Sequence, residues 1–468
     1  MMEILTEKGT DIVRSSFRDP SGFVFKKNGI LYRQINNSYK ENYDQLLASG
    51  LYSRLVSQNL LVQHSEIELT NASAPNNCYK IIQPTVIPFV SYPYEWCFSQ
   101  LKSAALLTLK LQKTALKYGM VVKDASAYNI QFSNSKPVMI DTLSFEKYLE
   151  GQPWVAYRQF CQHFLGPLAL ISKTDPGLGQ LFRLYPDGVP LGLTSKLLPI
   201  RSWFNIGLLL HIHLHSQSQR HFQEKDVNTT SARMNLRQMD ALIENLTDIV
   251  KKMDYKPEVS QWADYSEKNS YTEKDFSEKK EIVGRFVNIV KPEIVWDLGS
   301  NDGTFSRIAA KQAKLVVSMD IDSPAVERNL RETKTENYSN ILPLLMDITN
   351  PSPGIGWGNR EFDSITDRGP ADLIMVLALA HHLAISHNLS FKNIVECLGG
   401  MGRYLIIEFA PKHDIMVKKL MKKREHIFEN YSQANFESAF EKYFDVEEKI
   451  ELSDRGRVIY LMKNKKSL

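Results

Sequence analysis

The spacing of hydrophobic residues changes along the chain and divides it into two regions. From Lys291 onward, short apolar runs alternate with segments in which apolar residues recur every three or four positions. This alternation predicts a parallel β-sheet whose strands are joined by helices. The predicted strands lie at 294–296, 315–319, 341–346, 373–379 and 404–407, and two later runs lie at 447–452 and 458–462. The turn at 453–456 between those two runs predicts a closing antiparallel hairpin.

The first half of the chain is predicted to mix strands and helices. Residues 24–35 are typical of a β-hairpin, residues 101–118 of a helix, and a largely apolar helical pattern extends to His215. The stretch 216–228 is polar and charged, and a further helical pattern follows at 234–250. We therefore predict an N-terminal domain at 1–215, a helical linker at 216–260 and a C-terminal domain at 261–468.

The composition is that of an ordinary globular protein, with 43% hydrophobic and 24% charged residues in a chain of 468. A formal net charge of +4 gives no reason to expect nucleic-acid binding, which usually needs a clustered basic surface. The four cysteines are scattered without a Cys-x-x-Cys pair, which favours reduced thiols in a cytoplasmic protein. The apolar stretch 203–214 is too short to span a bilayer, no signal-peptide pattern is found, and no metal site is predicted.

The strongest chemical signal is an apolar strand that runs into a glycine turn and then into a helix, VWDLGSNDGTFS at 295–306. Ligands of open α/β sheets bind at the carboxyl ends of such strands. Two carboxylates downstream support a cofactor site, because Asp320 ends the second predicted strand and Asp347 ends the third. Asn301 stands where a dinucleotide-binding loop would have its second glycine, so a pyrophosphate is disfavoured.

These motifs, and five parallel strands followed by a hairpin, resemble class I methyltransferases, which bind S-adenosylmethionine (SAM). The resemblance implies that Asp297 faces the methionine amino group and that the loop at Gly299, Asn301 and Gly303 lines the cofactor. It further implies that Asp320 holds the ribose and Asp347 the adenine. Asp322 is an alternative ribose ligand, although Asp322-Ser323-Pro324 is also a good helix start.

The acceptor side is predicted from the residues after the fourth strand, where His381 and His382 follow Ala380. A neutral imidazole can take a proton from a hydroxyl that attacks the methyl group. The alternative is that both histidines only shape the pocket and that the enzyme works by alignment. Glu408, after the fifth strand, either lines the pocket or lies in solvent.

The N-terminal half contains a second motif, in which Asp124 and Asn129 are followed by an apolar strand and Asp141. This spacing resembles the catalytic core of small-molecule kinases such as aminoglycoside phosphotransferases, where an Asp contacts the hydroxyl and an Asn and a second Asp hold Mg²⁺. The chain departs from that pattern, because no glycine follows Asp141 and Arg33 stands where the ATP-binding lysine should be. A chance match, a kinase fold without phosphotransfer and an active kinase all remain open.

The fold class is therefore predicted to be α/β, with a Rossmann-like class I methyltransferase sheet at the C-terminus preceded by an α+β kinase-like domain. Most of the chain, including 123–129 and 404–409, resembles a bacterial family of SAM-dependent methyltransferases, some of which are nodulation-related. The resemblance implies a SAM-dependent methyltransferase that acts on a glycan or other small-molecule acceptor, by O-methylation. The alternatives are a bifunctional kinase–methyltransferase that modifies a saccharide end and a non-catalytic SAM-binding scaffold.

Overall fold

The structure is a computed structural model that describes residues 10–68, 74–215, 233–256, 271–422 and 425–466. The chain divides into two compact units. The first comprises Met1–Lys256 and Gly354–Phe362, and the second comprises Pro257–Pro353 and Asp363–Leu468. In the described part of the chain, no helix combines the length and the apolar character needed to cross a membrane.

The N-terminal unit begins with an antiparallel sheet of five strands in the order β1-β2-β3-β5-β4. Two short antiparallel pairs, β6 with β9 and β7 with β8, follow a long helix. The strands are β1 (Thr10–Ile12), β2 (Gly22–Lys27), β3 (Ile30–Asn36), β4 (His64–Ile67), β5 (Cys78–Pro84), β6 (Met120–Val122), β7 (Ile130–Ser133), β8 (Lys136–Met139) and β9 (Phe145–Lys147).

Helices of this unit lie between β3 and β4 and after β5. They are α1 (Lys40–Ala48), α2 (Leu51–Ser57), α3 (Phe98–Lys117), α4 (Tyr157–Phe160), α5 (Gly166–Lys173), α6 (Leu181–Leu184), α7 (Leu191–Leu197), α8 (Ile206–Leu208) and α9 (Leu236–Lys252). Two π-helical turns, Cys161–Leu165 and Leu209–Leu214, continue α4 into α5 and extend α8. The helix α3 buries a continuous face that includes Leu101, Ala105 and Leu109, which is why the apolar period of three and four predicted it.

The segment Gly354–Phe362 belongs to the N-terminal unit through specific contacts. The Phe362 ring stacks on Tyr128 with 4.2 Å between ring centroids. The Glu361 carboxylate accepts two hydrogen bonds from the Arg18 guanidinium, at 2.6 and 2.8 Å.

The C-terminal unit is built on a sheet of seven strands in the order β12-β11-β10-β13-β14-β16-β15. The strands are β10 (Ile294–Leu298), β11 (Leu315–Asp320), β12 (Ile341–Leu345), β13 (Ala371–Val376), β14 (Gly402–Phe409), β15 (Phe444–Glu451) and β16 (Val458–Asn464). The first five are parallel, whereas β16 is antiparallel to both β14 and β15. This is the strand order of class I methyltransferases, and all seven predicted strands overlap the observed ones.

Helices on both faces of this sheet explain why its central strands are almost wholly apolar, since both faces are buried. They are α10 (Glu273–Val290), α11 (Thr304–Ala310), α12 (Ser323–Thr335), α13 (Phe391–Leu398), α14 (Ile415–Met421) and α15 (Gln433–Phe440), with a π-helical turn at His382–Ser386. The helix α10 packs Val283, Phe286 and Val287 into a core with Val295 and Leu373 from the sheet. Its first turn is stabilised because Thr272 Oγ1 accepts a hydrogen bond from the Asp275 backbone N–H.

The helix α9 differs in its placement from the expected linker at 216–260. Its amphipathic face buries Met239, Ile243, Leu246 and Val250, and Lys113 on α3 pairs with Glu244 at 2.7 Å. The structure thus includes this helix in the N-terminal unit, because its apolar stripe has a partner there. Residues 216–232 and 257–260 of the expected linker lie outside the described residues.

Candidate active site

A cavity of about 240 Å³ opens at the carboxyl ends of β10, β11, β12 and β13 in the C-terminal unit. Carboxyl ends of parallel strands are where open α/β sheets bind ligands, because the loops diverge there. Six of the eight residues predicted for the site line the cavity: Asp297, Gly299, Asn301, Asp320, Asp347 and His382. The other two, Gly303 and His381, do not contribute to its lining.

The loop between β10 and α11 is held in a tight turn by left-handed backbone conformations at Gly299 (φ +73°), Asn301 (φ +48°) and Gly303 (φ +79°). A side chain at Gly299 would touch Leu379 on the cavity wall, at 3.2 Å from its Cβ position. At Gly303, a Cβ would come within 2.2 Å of the buried Asn329 Oδ1, so this glycine is required by packing against α12. Gly303 therefore shapes the loop from behind, whereas Gly299 faces the cavity.

Asp320 ends β11, and its carboxylate is fixed by the chain around it. One oxygen accepts from the Asn301 backbone N–H and the other from the Asp322 backbone N–H, both at 2.8 Å. Burial raises the pKa of Asp320 to about 6, against the opposing effect of these backbone hydrogen bonds. Each oxygen keeps further acceptor capacity toward the cavity, since a carboxylate can accept about four hydrogen bonds. The Asp322 side chain does not cap α12, although the chain does enter that helix through Pro324.

Asp297 lies at the floor of the cavity and is almost fully buried. Its carboxylate accepts a hydrogen bond of 2.6 Å from Ser306 Oγ. Burial raises the pKa of Asp297 to about 7, because the hydrogen bond from Ser306 and the Lys279 charge offset only part of the loss of water. A buried carboxylate of this kind favours a cationic or hydrogen-bond-donating ligand.

Two further polar groups face the cavity near these carboxylates. Asp347, after β12, accepts hydrogen bonds from the backbone N–H and the hydroxyl of Thr349, at 2.8 and 2.7 Å. Ser300 is buried in the glycine loop, and its hydroxyl has no hydrogen-bond partner among the described residues. A buried hydroxyl in that state is satisfied when a ligand supplies the partner.

The paired histidines after β13 have different surroundings. The His382 ring is partly exposed and lines the cavity, whereas His381 is buried behind it with 4.4 Å between the ring centroids. Burial, with the Arg457 charge, lowers the pKa of His382 to about 4. Burial also holds the pKa of His381 well below its usual value. At neutral pH both rings are therefore uncharged, and His382 is the one that can meet an acceptor.

A buried cluster of ionised groups lies behind the cavity wall, around Glu408 on β14. The Glu408 carboxylate accepts hydrogen bonds from Lys279 Nζ at 2.6 Å, from the Tyr271 hydroxyl at 2.7 Å and from Arg457 Nη1 at 3.2 Å. Arg457 is in turn paired with Asp414 at 2.8 and 3.1 Å. Burial opposes ionisation of Glu408, but the Lys279 and Arg457 charges outweigh it and hold its pKa at about 2.

The same carboxylate fixes the end of β13. Glu408 Oε2 accepts a hydrogen bond of 2.8 Å from the backbone N–H of Ala378, which lies in the left-handed region at φ +53°. This conformation is unfavourable for alanine and persists only where the surroundings enforce it. The bond therefore directs Leu379 and the His382 loop, which come next in the chain, toward the cavity.

In the predicted motif of the N-terminal unit, Asp124, Asn129 and Asp141, the second aspartate is paired with an arginine. Arg33 on β3 pairs with Asp141 at 2.6 Å, and both side chains are nearly buried. Asp141 also accepts hydrogen bonds from the Ser144 hydroxyl and from the Leu143 backbone N–H. The Asp124 carboxylate accepts from Gln159 Nε2 at 2.7 Å, and the Asn129 amide donates to Ser144 at 3.3 Å.

Comparison with known proteins gives one extensive match. The chain is 35% identical over 461 residues to the nodulation protein NoeA of Rhizobium meliloti (strain 1021), covering 96% of this chain and 95% of that protein. The chain belongs to the NoeA family. No protein-family model matches this NoeA-family chain.

Solved structures similar to part of the NoeA-family chain are methyltransferases. The N-methyltransferase NodS from Bradyrhizobium japonicum WM9 is 14% identical with a TM-score of 0.30, covering 41% of this chain and 97% of its own. The magnesium protoporphyrin IX methyltransferase ChlM from Synechocystis PCC 6803 is 17% identical with a TM-score of 0.31, covering 44% and 93%. The fold assignment of the C-terminal unit rests on its strand order.

Sequence reasoning missed the buried ion cluster of this NoeA-family protein. Lys279 was one of several lysines in a charged helix, and Tyr271 lay in a polar stretch. The available signal was that Lys279 falls on the apolar face of α10, four residues before Val283. A lysine at such a position is buried only with a partner, and Glu408 after an apolar strand was the candidate.

We expect Glu408→Gln to destabilise the C-terminal unit by about 3 kcal/mol or more, because two buried cations lose a counter-charge. The matched control is Glu448→Gln, whose exposed pair with Arg285 is worth about 0–1 kcal/mol. Hydrogen exchange of peptides from β10 and β13 measures the difference.

Because the pKa of Glu408 is depressed to about 2, the contribution of its charge to stability is complete above the ordinary pKa of 4.5 and is lost as the pH falls toward 2. Equal protection in the two variants at pH 7 would contradict this account.

Proposed function

We propose that the protein is a SAM-dependent methyltransferase. The observation that carries the proposal is the cavity at the carboxyl ends of β10–β13, where the buried Asp297 and the partly buried Asp320 meet a glycine turn. This set fits SAM, because the cofactor offers an ammonium group, two ribose hydroxyls and an adenine amino group as hydrogen-bond donors. When bound, SAM supplies a methyl group activated by a sulfonium.

Each cavity residue has a role that follows from its surroundings. Asp297, buried at the cavity floor, would accept from the methionine ammonium. Asp320, fixed by two backbone hydrogen bonds, would accept from the ribose hydroxyls, and Asp347 from the adenine amino group. Gly299, Ser300 and Asn301 would contact the cofactor through the loop, while Gly303 keeps that loop in shape.

The acceptor is proposed to be a neutral hydroxyl on a glycan or other small molecule. All four carboxylates of the lining, Asp297, Asp302, Asp320 and Asp347, belong to the three strand ends and the glycine loop. The segment after β13 contributes imidazole and hydroxyl groups, from His382, Ser386 and His387, and no carboxylate. A protonated amine would find no counter-charge there, whereas a hydroxyl finds hydrogen-bond partners. Membership of the NoeA family suggests that the methylated product serves nodulation.

The N-terminal unit is proposed to be a kinase-like domain that has lost phosphotransfer. The order of elements in this unit is that of a small-molecule kinase. A five-stranded sheet comes first, and the helix α3, the loop of Asp124 and Asn129, and then Asp141 follow it. Arg33 neutralises Asp141 at 2.6 Å, where a kinase needs Mg²⁺. This pair argues against the alternative, a bifunctional kinase–methyltransferase.

We predict that SAM and S-adenosylhomocysteine bind and that Asp320→Asn weakens both by about 10–100-fold, because charge-assisted hydrogen bonds are lost. Calorimetry measures this. Asp372→Asn is the control. The Asp372 carboxylate also accepts two backbone N–H bonds, from Glu293 and Ile294, but it lies at the amino ends of the strands, away from the cavity. The wild-type affinity should fall between pH 7 and pH 5, because protonation of the carboxylates with pKa near 7 and 6 removes the negative charge that strengthens their hydrogen bonds to the cofactor. A wild-type protein that binds neither ligand refutes the proposal.

We predict that His382→Ala lowers turnover by about 10²-fold at saturating SAM, the lower end for proton-transfer help, because a ring with a pKa near 4 is a weak base at neutral pH. The measurement is transfer of labelled methyl from SAM to a panel of saccharides. His382→Gln should recover part of the rate by accepting a hydrogen bond, and the exposed His426→Ala is the control. Wild-type turnover at saturating SAM should not fall as the pH is lowered through 6.5, the ordinary pKa of histidine. An unchanged rate in His382→Ala would leave alignment alone as the source of catalysis, and SAM binding without any transfer would favour the scaffold alternative.

We predict that the full chain releases ADP from MgATP no faster than the background rate, and that Asp124→Asn and Asp141→Asn leave that rate unchanged. The reason is that the Arg33 guanidinium already neutralises the Asp141 carboxylate, which therefore has no unbalanced negative charge with which to bind Mg²⁺. A coupled assay for ADP, with each saccharide of the panel present, makes the measurement. Robust ADP release that both substitutions abolish would show that the phosphotransfer alternative is right.

A further inference from the structure

The N-terminal unit carries an exposed apolar surface with an unusual charge pattern, formed by three consecutive helical segments between Leu191 and Leu214. Its most exposed members are Phe204 at 85%, Ile200 at 81% and Ile206 at 74%, and Leu197, Trp203, Leu210 and Leu214 are also exposed. Contiguous exposed apolar surface of this kind usually marks an interaction site. These seven residues are called the apolar rim below.

The apolar rim is the outer face of an ordered element. Ile206, Leu210 and Leu214 are four residues apart on α8 and its π-helical extension, so they share one side, while Leu208 and Ile212 are buried on the other. The exposed side is thus as apolar as the buried side, which is not expected of a helix whose outer face meets only water.

Buried hydrogen bonds hold the three segments together. The His213 ring accepts or donates at 2.7 Å to Ser195 Oγ on α7 and at 2.9 Å to Ser202 Oγ on the turn Ile200–Phe204. The Trp203 ring stacks on the same imidazole, with 4.2 Å between centroids. The rim is therefore pre-arranged and needs little ordering on contact with a partner.

The charged side chains within the three segments of the rim are of one sign. From Gly188 to His215 the chain has no Asp or Glu, while Lys196 and Arg201 are exposed among the apolar residues. Lys173 lies close by, because the next residue, Thr174, donates a hydrogen bond to the Leu197 carbonyl; Asp175 follows it and is the nearest acid on that segment. The partner that fits is apolar at its centre and negative around it.

We propose that the apolar rim docks on an anionic lipid surface, with Ile200, Phe204 and Ile206 entering the acyl boundary. Interfacial helical elements bind membranes through an apolar face with tryptophan at headgroup depth and basic residues toward anionic lipids. The proposal is independent of the methyltransferase proposal, because it concerns a surface of the N-terminal unit and its test does not use activity.

The experiment is co-sedimentation of the full chain with vesicles of phosphatidylcholine alone and of phosphatidylcholine mixed with phosphatidylglycerol. We expect binding to the mixed vesicles and much weaker binding to the neutral ones. Phe204→Glu with Ile206→Glu should reduce the partition by about tenfold or more, since two inserted apolar groups become charged. Lys196→Glu with Arg201→Glu should remove most of the preference for the anionic vesicles, about fivefold for each basic residue lost.

The matched control is Val86→Glu with Leu149→Glu, which adds two charges at similarly exposed apolar positions outside the rim and should bind like the wild type. Circular dichroism checks that all variants fold, which is expected because the substituted side chains are exposed and the Ile206→Glu change places a carboxylate in the first turn of a helix. The proposal is wrong if the wild type stays in the supernatant with both vesicles, or if the Phe204/Ile206 variant binds as the wild type does. A wild-type dimer in light scattering that this variant makes monomeric, without vesicle binding, would overturn the proposal and assign the rim to a second copy of the chain.

Discussion

The C-terminal unit depends on the neutralisation of Glu408 inside the protein. An isolated carboxylate at full burial would be strongly unfavourable, and here two cations and a phenol satisfy it. Lys279 lies on α10, whereas Tyr271 and Arg457 lie just before α10 and β16, so the bond network ties the last helix before the sheet to the start of its last strand. Removing either cation leaves an unbalanced charge in the interior.

The position of Glu408 also affects the cavity, through the backbone at the end of β13. Glu408 bonds the N–H of Ala378 and so stabilises a left-handed alanine at the end of β13. The next residue, Leu379, then lies against Gly299, which has no side chain to collide with it. Two features therefore fix the position of this cavity wall. The hydrogen bond from Ala378 to Glu408 stabilises the strained turn, and Gly299 leaves space for the Leu379 side chain. A strained backbone at a site costs stability, and the surrounding contacts offset it.

The sequence predicted the C-terminal sheet well because its pattern is set by burial on both faces. Runs such as Leu315–Asp320 had no other interpretation once helical segments separated them. The acidic strand ends were found because their position in the fold is fixed by the strand itself. Gly303 could not be distinguished from Gly299, since packing against Asn329 is a contact between residues far apart in the chain. For the same reason the low pKa of His382 was not foreseen, because it arises from burial and from the Arg457 charge.

The aspartates of the two units have different hydrogen-bond and ion-pair partners, and the proposal that only the C-terminal unit uses a ligand rests on this contrast. In the C-terminal unit, Asp297 is buried and Asp320 is partly buried beside the cavity, and burial raises the pKa values of both, so a donor-rich ligand lowers the free energy. In the N-terminal unit, Asp141 already has a guanidinium, a hydroxyl and a backbone N–H. A metal ion there would have to displace Arg33 from Asp141, and the nearly buried guanidinium would be left with Asp19, at 3.8 Å, as its ion-pair partner. The ion pair and hydrogen bonds of Asp141 stabilise the N-terminal site and leave its carboxylate little to gain from a metal ion. Asp297 and Asp320 are less fully satisfied by protein groups, so a cofactor that supplies hydrogen-bond donors is favoured there.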